Sequence, residues 1–408
     1  MQLFKLSWRN IWRNRRRALI TIASVFFAVF FCTLMFSFQS GMWEKMIDNT
    51  LRTQTGHIQI HGKDYWNDRS IDNFMMLSDT VIAALKTLDN VTNVSPRIET
   101  FAMASFGMLS RGIGVIGISP AREAEKSNLP IRLVQGEYLS ETDDGILVGE
   151  GFCRYLRVGL GDTIALLGQG FRGSTAVGLF PIRGILRLPL TDMDNGLAYM
   201  SLSAAQEFID MPDGYSGILI ALKNDGRLNQ TIEEVKAKLD ANATFSDYEV
   251  FSWHYTMKDL LRTAEVDKAF AKIILFILYL IVGFGILGTV IMMTNERRRE
   301  FAILISLGMQ RGLLRLVITV ELLLMALCGA LSSLVLTIPI VWWFHTHPIR
   351  LGGDMAQMFA DYGMEPVMPM SADPMIFWMQ IVIVFAIACV TLIYPYYVIG
   401  KLKVTAKE

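Results

Sequence analysis

Several residue patterns in this chain have types and spacings that could carry chemistry. Gly112-Ile113-Gly114-Val115-Ile116-Gly117 has the glycine spacing of a dinucleotide fingerprint. That fingerprint needs a strand before it and a helix opening within it. Here the glycines sit inside a β-like run and read as small residues in a twisted strand. Gly168–Thr175 imitates a phosphate loop, but Arg172-Gly173-Ser174 lacks the lysine before the hydroxyl residue. No nucleotide site is expected, so if ATP drives this protein another chain binds it. His57 and His61 would share one face of a strand, as would His345 and His347, yet each pair lacks the further ligands zinc needs. Met355, Met358, Met364, Met368 and Met370 crowd one loop. Thioethers suit copper, but an adaptable apolar surface is the simpler reading, and no metal is expected. No Ser/His/Asp or paired-carboxylate arrangement can be argued from order. The chain is therefore expected to carry no catalytic residue and not to be an enzyme.

Two patterns lie inside apolar runs. Glu321 sits about two turns into one of them. A carboxylate there is costly and usually has a partner or a function; an ion pair with an arginine at the membrane surface is the reading preferred over a transport role. Phe27, Phe31, Met35, Phe38 and Met42 line one helical stripe, with Phe26 and Phe30 beside it. The stripe could face lipid or form a soft apolar wall for a hydrophobic substrate. Small residues at Ala326/Ala330 and Gly329/Ser333, and Gly283, Gly285 and Gly288, mark close helix packing.

The elements that must position these groups are dominated by four apolar runs, each long enough for the about 20 residues a bilayer requires. They divide the chain into a basic elbow (1–17), spans at 18–41, 270–294, 313–343 and 376–398, an inserted domain (42–269), a short charged link (295–312), a second loop (344–375) and a tail (399–408). Arginines and lysines gather in the elbow (Lys5, Arg9, Arg13, Arg15, Arg16, Arg17), in the link (Arg297, Arg298, Arg299, Arg311) with Arg315, and in the tail (Lys401, Lys403, Lys407). A four-span path puts all three clusters on one side, which the positive-inside rule makes cytoplasmic, with both termini inside. The inserted domain, acidic on balance, is then outside. The first span lacks a small-x-small cleavage site and reads as an uncleaved anchor. Cys153 is the one cysteine of the inserted domain, which therefore holds no internal disulfide and stands on its own core. The formal net charge of zero gives no reason to expect a nucleic-acid partner.

Within the inserted domain, the pattern predicts strands at 56–61, 98–106, 112–118, 144–150, 164–167, 175–187, 197–200, 216–222 and 248–252, and helices at 79–88, 150–157, 202–209 and 228–239. The expected fold is an α-helical membrane protein with four transmembrane helices and a large α+β extracytoplasmic domain. Two βαβ-like halves would flank a mostly β insertion at about 110–212. Trp43, Met46, Ile47, Thr50 and Leu51 continue one helical face beyond the first span. No proline or glycine interrupts 254–282, so a helix from 254 to 294 would be roughly 60 Å long. These are expected to be helical stalks.

The link itself combines Glu296, Arg297, Arg298, Arg299 and Glu300 with an apolar run, Phe301, Ile303, Leu304, Ile305 and Leu307, and ends at Gly308. An ordinary basic loop needs no such run next to water. A segment that docks into a partner's groove does, with Gly308 and Gly312 ending or hinging it.

Leu6-Ser7-Trp8-Arg9-Asn10-Ile11-Trp12-Arg13-Asn14-Arg15-Arg16-Arg17 resembles the N-terminal elbow of FtsX/MacB-type ABC transporter permeases. Glu296–Met309 resembles their cytoplasmic coupling segment, and the order span, large outer domain, three spans is also theirs. Val148-Gly149-Glu150-Gly151, Val158-Gly159-Leu160-Gly161-Asp162-Thr163 and Gly114-Val115-Ile116-Gly117-Ile118-Ser119-Pro120 look most like the LolC/LolE lipoprotein-release permeases. The resemblance implies a bacterial inner-membrane permease working as a homo- or heterodimer with a second permease. It also implies two cytoplasmic ABC ATPase subunits that hold ATP-Mg, and no cofactor on this chain. Its expected function is extraction of lipoproteins from the outer leaflet, out of membrane lipid, for transfer to a periplasmic lipoprotein carrier. The alternatives are an FtsX-like mechanotransmitter that activates an extracytoplasmic partner and a MacB-like efflux permease.

Overall fold

A computed structural model of the chain describes residues 2–13, 15–126, 129–188, 191–241, 248–361 and 367–402. Met364 of the methionine-rich loop and Lys403 and Lys407 of the tail lie outside the described residues. The chain divides into two compact units. One comprises Met1–Lys45, Thr263–Arg350 and Val367–Glu408; the other comprises Met46–Arg262 and Leu351–Pro366.

The first unit is built on four helices long and apolar enough to cross a membrane: Arg15–Thr50, Lys258–Glu296, Arg311–Thr346 and Pro374–Lys401. The last is two helices, Pro374–Thr391 and Ile393–Lys401, divided at Leu392. At 1.5 Å per residue, the 36-residue first helix and 39-residue second helix are each well over the ~30 Å of a hydrocarbon core. The second does not begin at 254 as its unbroken periodicity predicts. Trp253–Thr256 is a separate short helix, and Met257 leaves helical geometry between the two. Small residues bring the first and third helices together within the chain. A side chain at Gly329 would meet the Ile22 carbonyl and Val25 at 2.8 Å. Around that contact Val25, Val29 and Cys32 pack with Leu322, Met325, Ala326 and Ala330. Among the described residues, none lies within 4 Å of where a side chain would stand at Gly285 or Gly288.

The second unit carries a ten-stranded sheet. Its strands are β1 (Ile58–Gly62), β2 (Val91–Phe106), β3 (Leu109–Ile118), β4 (Leu133–Gly136), β5 (Ile146–Gly149), β6 (Thr163–Gln169), β7 (Thr175–Leu186), β8 (Leu197–Ser201), β9 (Gly217–Leu222) and β10 (Tyr248–Ser252). The spatial order is β10-β1-β9-β2-β3-β8-β5-β7-β4, with β6 joining β2 to β7. Each half has the expected order of strand, helix and strand: β1, Asp79–Lys86, β2, and β9, Leu228–Ala241, β10. The two strands of a half are nevertheless not neighbours. Both β1 and β2 pair with β9, and both β9 and β10 pair with β1, all antiparallel. The halves are therefore interleaved as split βαβ units. Valine and isoleucine on these strands build one core with the two helices, and the insertion β3–β8 builds another around Phe152 and Ile113. The fingerprint glycines lie within β3. A side chain at Gly117 would come within 2.3 Å of Ala205, so the glycine seats helix Leu202–Phe208 against the sheet.

Candidate coupling site

The charged link folds as a short helix, Arg298–Ser306, between the second and third long helices. Arg297 breaks from the preceding helix at φ −86°, ψ 3°. The other end closes at Gly308, φ +94°, a left-handed value that a side chain would resist. The Gly308 amide donates to the Ile305 carbonyl at 3.0 Å and the Met309 amide to the Leu304 carbonyl at 3.0 Å, the paired closure of a Schellman motif. Gly312, expected at the hinge, lies inside the helix that starts at Arg311; the turn is complete before it.

The apolar run divides between two faces. Phe301 is 2% exposed and packs with Leu314, Ile399 and Leu402, while Leu304, Ile305 and Met309 pack around them. Phe301, expected at the coupling surface, is buried on its own chain, and Leu304 is half-buried beside it. Arg299, Ile303 and Leu307 form the opposite stripe at intervals of four; Arg299 is exposed, Ile303 is 60% exposed and Leu307 80%. Arg298 is also exposed.

Ion pairs fix the inward face. Arg297 donates from Nη1 to both carboxylate oxygens of Glu321 at 2.8 Å, with Glu321 3% exposed and the guanidinium 5.5 Å from the Phe301 ring centre. The intramembrane carboxylate therefore has an arginine partner. Glu300 takes Arg13 at 2.6 Å and Arg297 at 3.5 Å, and Glu296 pairs with Arg17. The elbow, Gln2–Arg13, lies alongside: Ser7 Oγ donates to the Val317 carbonyl at 3.3 Å and Ile11 is buried in the helical core. Trp8 and Trp12 turn outward, one apolar face in and one aromatic face out. Arg311 donates to the Gly400 and Leu402 carbonyls at 2.9 and 2.8 Å, capping the last helix. Elbow, link and tail thus meet at one end of this unit.

The aromatic stripe of the first span faces outward in part. Phe27, Phe31 and Met35 are exposed, with Phe27 and Phe31 stacked at 6.2 Å; Phe38 and Met42 are half-buried. At the end away from the link, Gln39 and Trp43 both donate to Asp267 Oδ2, at 2.9 and 2.8 Å. Sequence reasoning missed Asp267. The available signal was Gln39 and Trp43, four apart on one helical face, both wanting an acceptor. The histidines serve structure: His61 Nδ1 lies 2.7 Å from the Ser216 carbonyl and Nε2 2.8 Å from Gln59 Oε1, with burial lowering its pKa. His57 accepts from the Leu222 amide at 3.2 Å.

Residues 18–238 match the family model of the MacB-like periplasmic core domain, and 272–404 match the FtsX-like permease C-terminal model. The chain belongs to the FtsX/MacB-type ABC transporter permeases and is a multi-pass membrane protein. It is similar to the lipoprotein-releasing system transmembrane protein LolC of Xylella fastidiosa strain Temecula1, 24% identical over 64% of this chain and 63% of that protein. It is similar to the Neisseria meningitidis LolC, 20% identical over 79% and 77%. It also resembles the pyoverdine export ATP-binding/permease protein PvdT of Pseudomonas syringae pv. tomato, 24% identical over 83% of this chain and 51% of that protein. The match therefore spans less than two thirds of the Xylella protein and about half of PvdT. Among solved structures, the periplasmic region of MacB from Actinobacillus actinomycetemcomitans aligns with 53% of this chain and 98% of its own, at 16% identity and TM-score 0.39.

Proposed function

We propose that this chain is the permease subunit of an ATP-driven ABC transporter that extracts lipoproteins from the outer leaflet of the inner membrane and passes them to a periplasmic carrier. In this reading the elbow, link and tail are cytoplasmic, and a separate ATPase subunit, present twice and holding ATP-Mg, docks on the link. The permease pairs with a second permease. The observation that carries the coupling role is the Arg299/Ile303/Leu307 stripe, left outward while Phe301 is buried and Leu304 and Ile305 are half-buried against it. A stripe of one cation and two aliphatic side chains suits a partner groove with an acidic rim. The long first and second helices would act as stalks. Lipoprotein as cargo is supported by the two LolC relatives and by the Phe27/Phe31/Met35 wall. The PvdT match, which covers more of this chain, favours as second reading a MacB-like efflux permease.

The test of docking is Ile303→Asp or Leu307→Asp. Each should abolish co-purification of the ATPase subunit while leaving the permease folded, since a carboxylate buried without a partner in the interface costs several kcal/mol. Retained complex and permease-stimulated ATPase activity in both would refute docking there. For cargo, a photo-crosslinker at Phe31 or Phe38 should capture lipoprotein acyl chains and lose them on ATP addition. Phospholipid adducts alone, unchanged by nucleotide, would remove the wall from the transport path.

A further inference from the structure

The inserted domain holds a cleft against its sheet. It has a volume of about 480 Å³, within the range of small-molecule sites. Its floor is one face of the sheet. Alternate residues of β2, Arg97, Glu99 and Phe101, point the same way, and β3 and β8 continue the surface through Gly114 with Leu197 and Ile116 with Tyr199. Tyr65 closes one wall and Asp192 stands at another.

The charges in this cleft are unevenly answered. Arg97 is fully buried and engaged: it donates to Glu123 at 2.6 Å and to the Gln54 carbonyl at 3.0 Å. Glu99 lies beside it, half-buried, and among the described residues its carboxylate takes no hydrogen bond or salt bridge, although its backbone amide donates to Ser216. Burial, then Glu99, push Tyr65 up to about 12, and burial raises Tyr199 to about 12, so both rings stay neutral phenols. Phe101 is 70% exposed although it stands over the cleft. Among the described residues lining the cleft, Arg69 lies over the Trp66 ring, and Glu99 and Asp192 are the carboxylates. A half-buried carboxylate two residues along the strand from an exposed ring, Phe101, is the surrounding that a protonated amine on an apolar body satisfies. The ammonium answers the charge, while the body covers Phe101.

We propose that this cleft binds a small organic cation, a protonated amine carried on a flat apolar body, with Glu99 as its counter-ion and Phe101 as its aromatic wall. The site is independent of the cargo and coupling roles proposed above.

The test is calorimetric titration of the full-length protein in lipid nanodiscs with tryptamine, using empty nanodiscs to subtract partitioning into lipid. Indole-3-propionate and 3-ethylindole are the anionic and neutral controls. Tryptamine should bind saturably and about tenfold or more tighter than either control, the scale of one desolvated cation contact. Glu99→Gln should remove that preference, and Phe101→Ala, at an exposed position that folding does not need, should weaken tryptamine several-fold. Equal affinity for all three ligands, no saturable binding of tryptamine, or an unchanged preference in folded Glu99→Gln would each overturn the assignment.

Discussion

The two ends of the first membrane helix are held by different chemistry. At the end carrying the link, charges do the holding: Arg13 on Glu300, Arg17 on Glu296, and Arg297 shared between Glu300 and Glu321. At the other end one carboxylate, Asp267, accepts from Gln39 and Trp43, and another, Glu44, accepts from Ser371 Oγ at 2.7 Å. There the chain also knits backbone to backbone, with the Ser371 amide on the Ser37 carbonyl at 2.9 Å and Ser37 Oγ on the Ser371 carbonyl at 2.6 Å. Gly41 admits that segment, because a side chain there would strike the Pro369 carbonyl at 2.6 Å. Partly exposed ion pairs are weak, screened by salt and easily exchanged. Hydrogen bonds to a carboxylate and a close backbone contact are neither. The link end is thus suited to remake its contacts when a partner pulls on it, and the far end to hold its geometry.

Within the charged end the buried pair is the exception, and breaking it should give the largest effect. Glu321→Ala would leave the mostly buried Arg297 with only the half-exposed Glu300 at 3.5 Å, a loss of up to about 3–5 kcal/mol. Thermal unfolding of the detergent-solubilised protein should show it as a large fall in midpoint. Replacing both residues, Arg297→Met with Glu321→Leu, should recover most of that loss. A single variant as stable as the parent would mean that the pair is solvated.

Asp267→Ala tests the other end. It strands the Trp43 indole N–H and the Gln39 amide, an expected cost of about 1–3 kcal/mol. Asp267→Asn should cost less, since its amide oxygen still accepts from one donor. Hydrogen exchange should quicken at amides of 37–45 before it does at the link. A uniform change across the membrane unit would indicate instead that Asp267 supports the whole bundle.

The difference between the ends also explains what the sequence made legible. The four spans, the basic clusters and most strands and helices of the inserted domain follow from local periodicity, which is a property of neighbouring residues. Arg297 and Glu321 were each visible as unusual, one as part of a basic cluster and one as a carboxylate in an apolar run. Their pairing across 24 residues depended on how the link folds back. The inward turn of Phe301 was hidden for the same reason: nothing in Phe301–Leu307 says which apolar face meets the chain's own Leu314 and Ile399 and which is left over. The interleaving of the split βαβ units is likewise a matter of long-range strand pairing, since β1 meets β9 across some 160 residues of chain.

The smallest effect should come from the exposed pair. Arg13 and Glu300 meet at 2.6 Å, but both side chains are at least half exposed, 59% and 50%. Such a pair contributes about 0–1 kcal/mol, and Glu300 keeps Arg297 when Arg13 is lost. Arg13→Ala should therefore leave the unfolding midpoint nearly unchanged while loosening the elbow, which Ser7 and Ile11 still tether. Hydrogen exchange over the elbow is the sensitive readout, compared at low and high salt. The screening length falls from roughly 30 Å at 0.01 M to 3 Å at 1 M ionic strength, so salt should quicken elbow exchange in the parent and do little in Arg13→Ala. The charge reversal Arg13→Glu with Glu300→Arg gives the sharper form of the test. It should restore the salt dependence if the pair acts alone, and fail to do so if Arg297 needs Glu300 as a second partner, because the new arginine would then repel Arg297 beside its bond to Glu321.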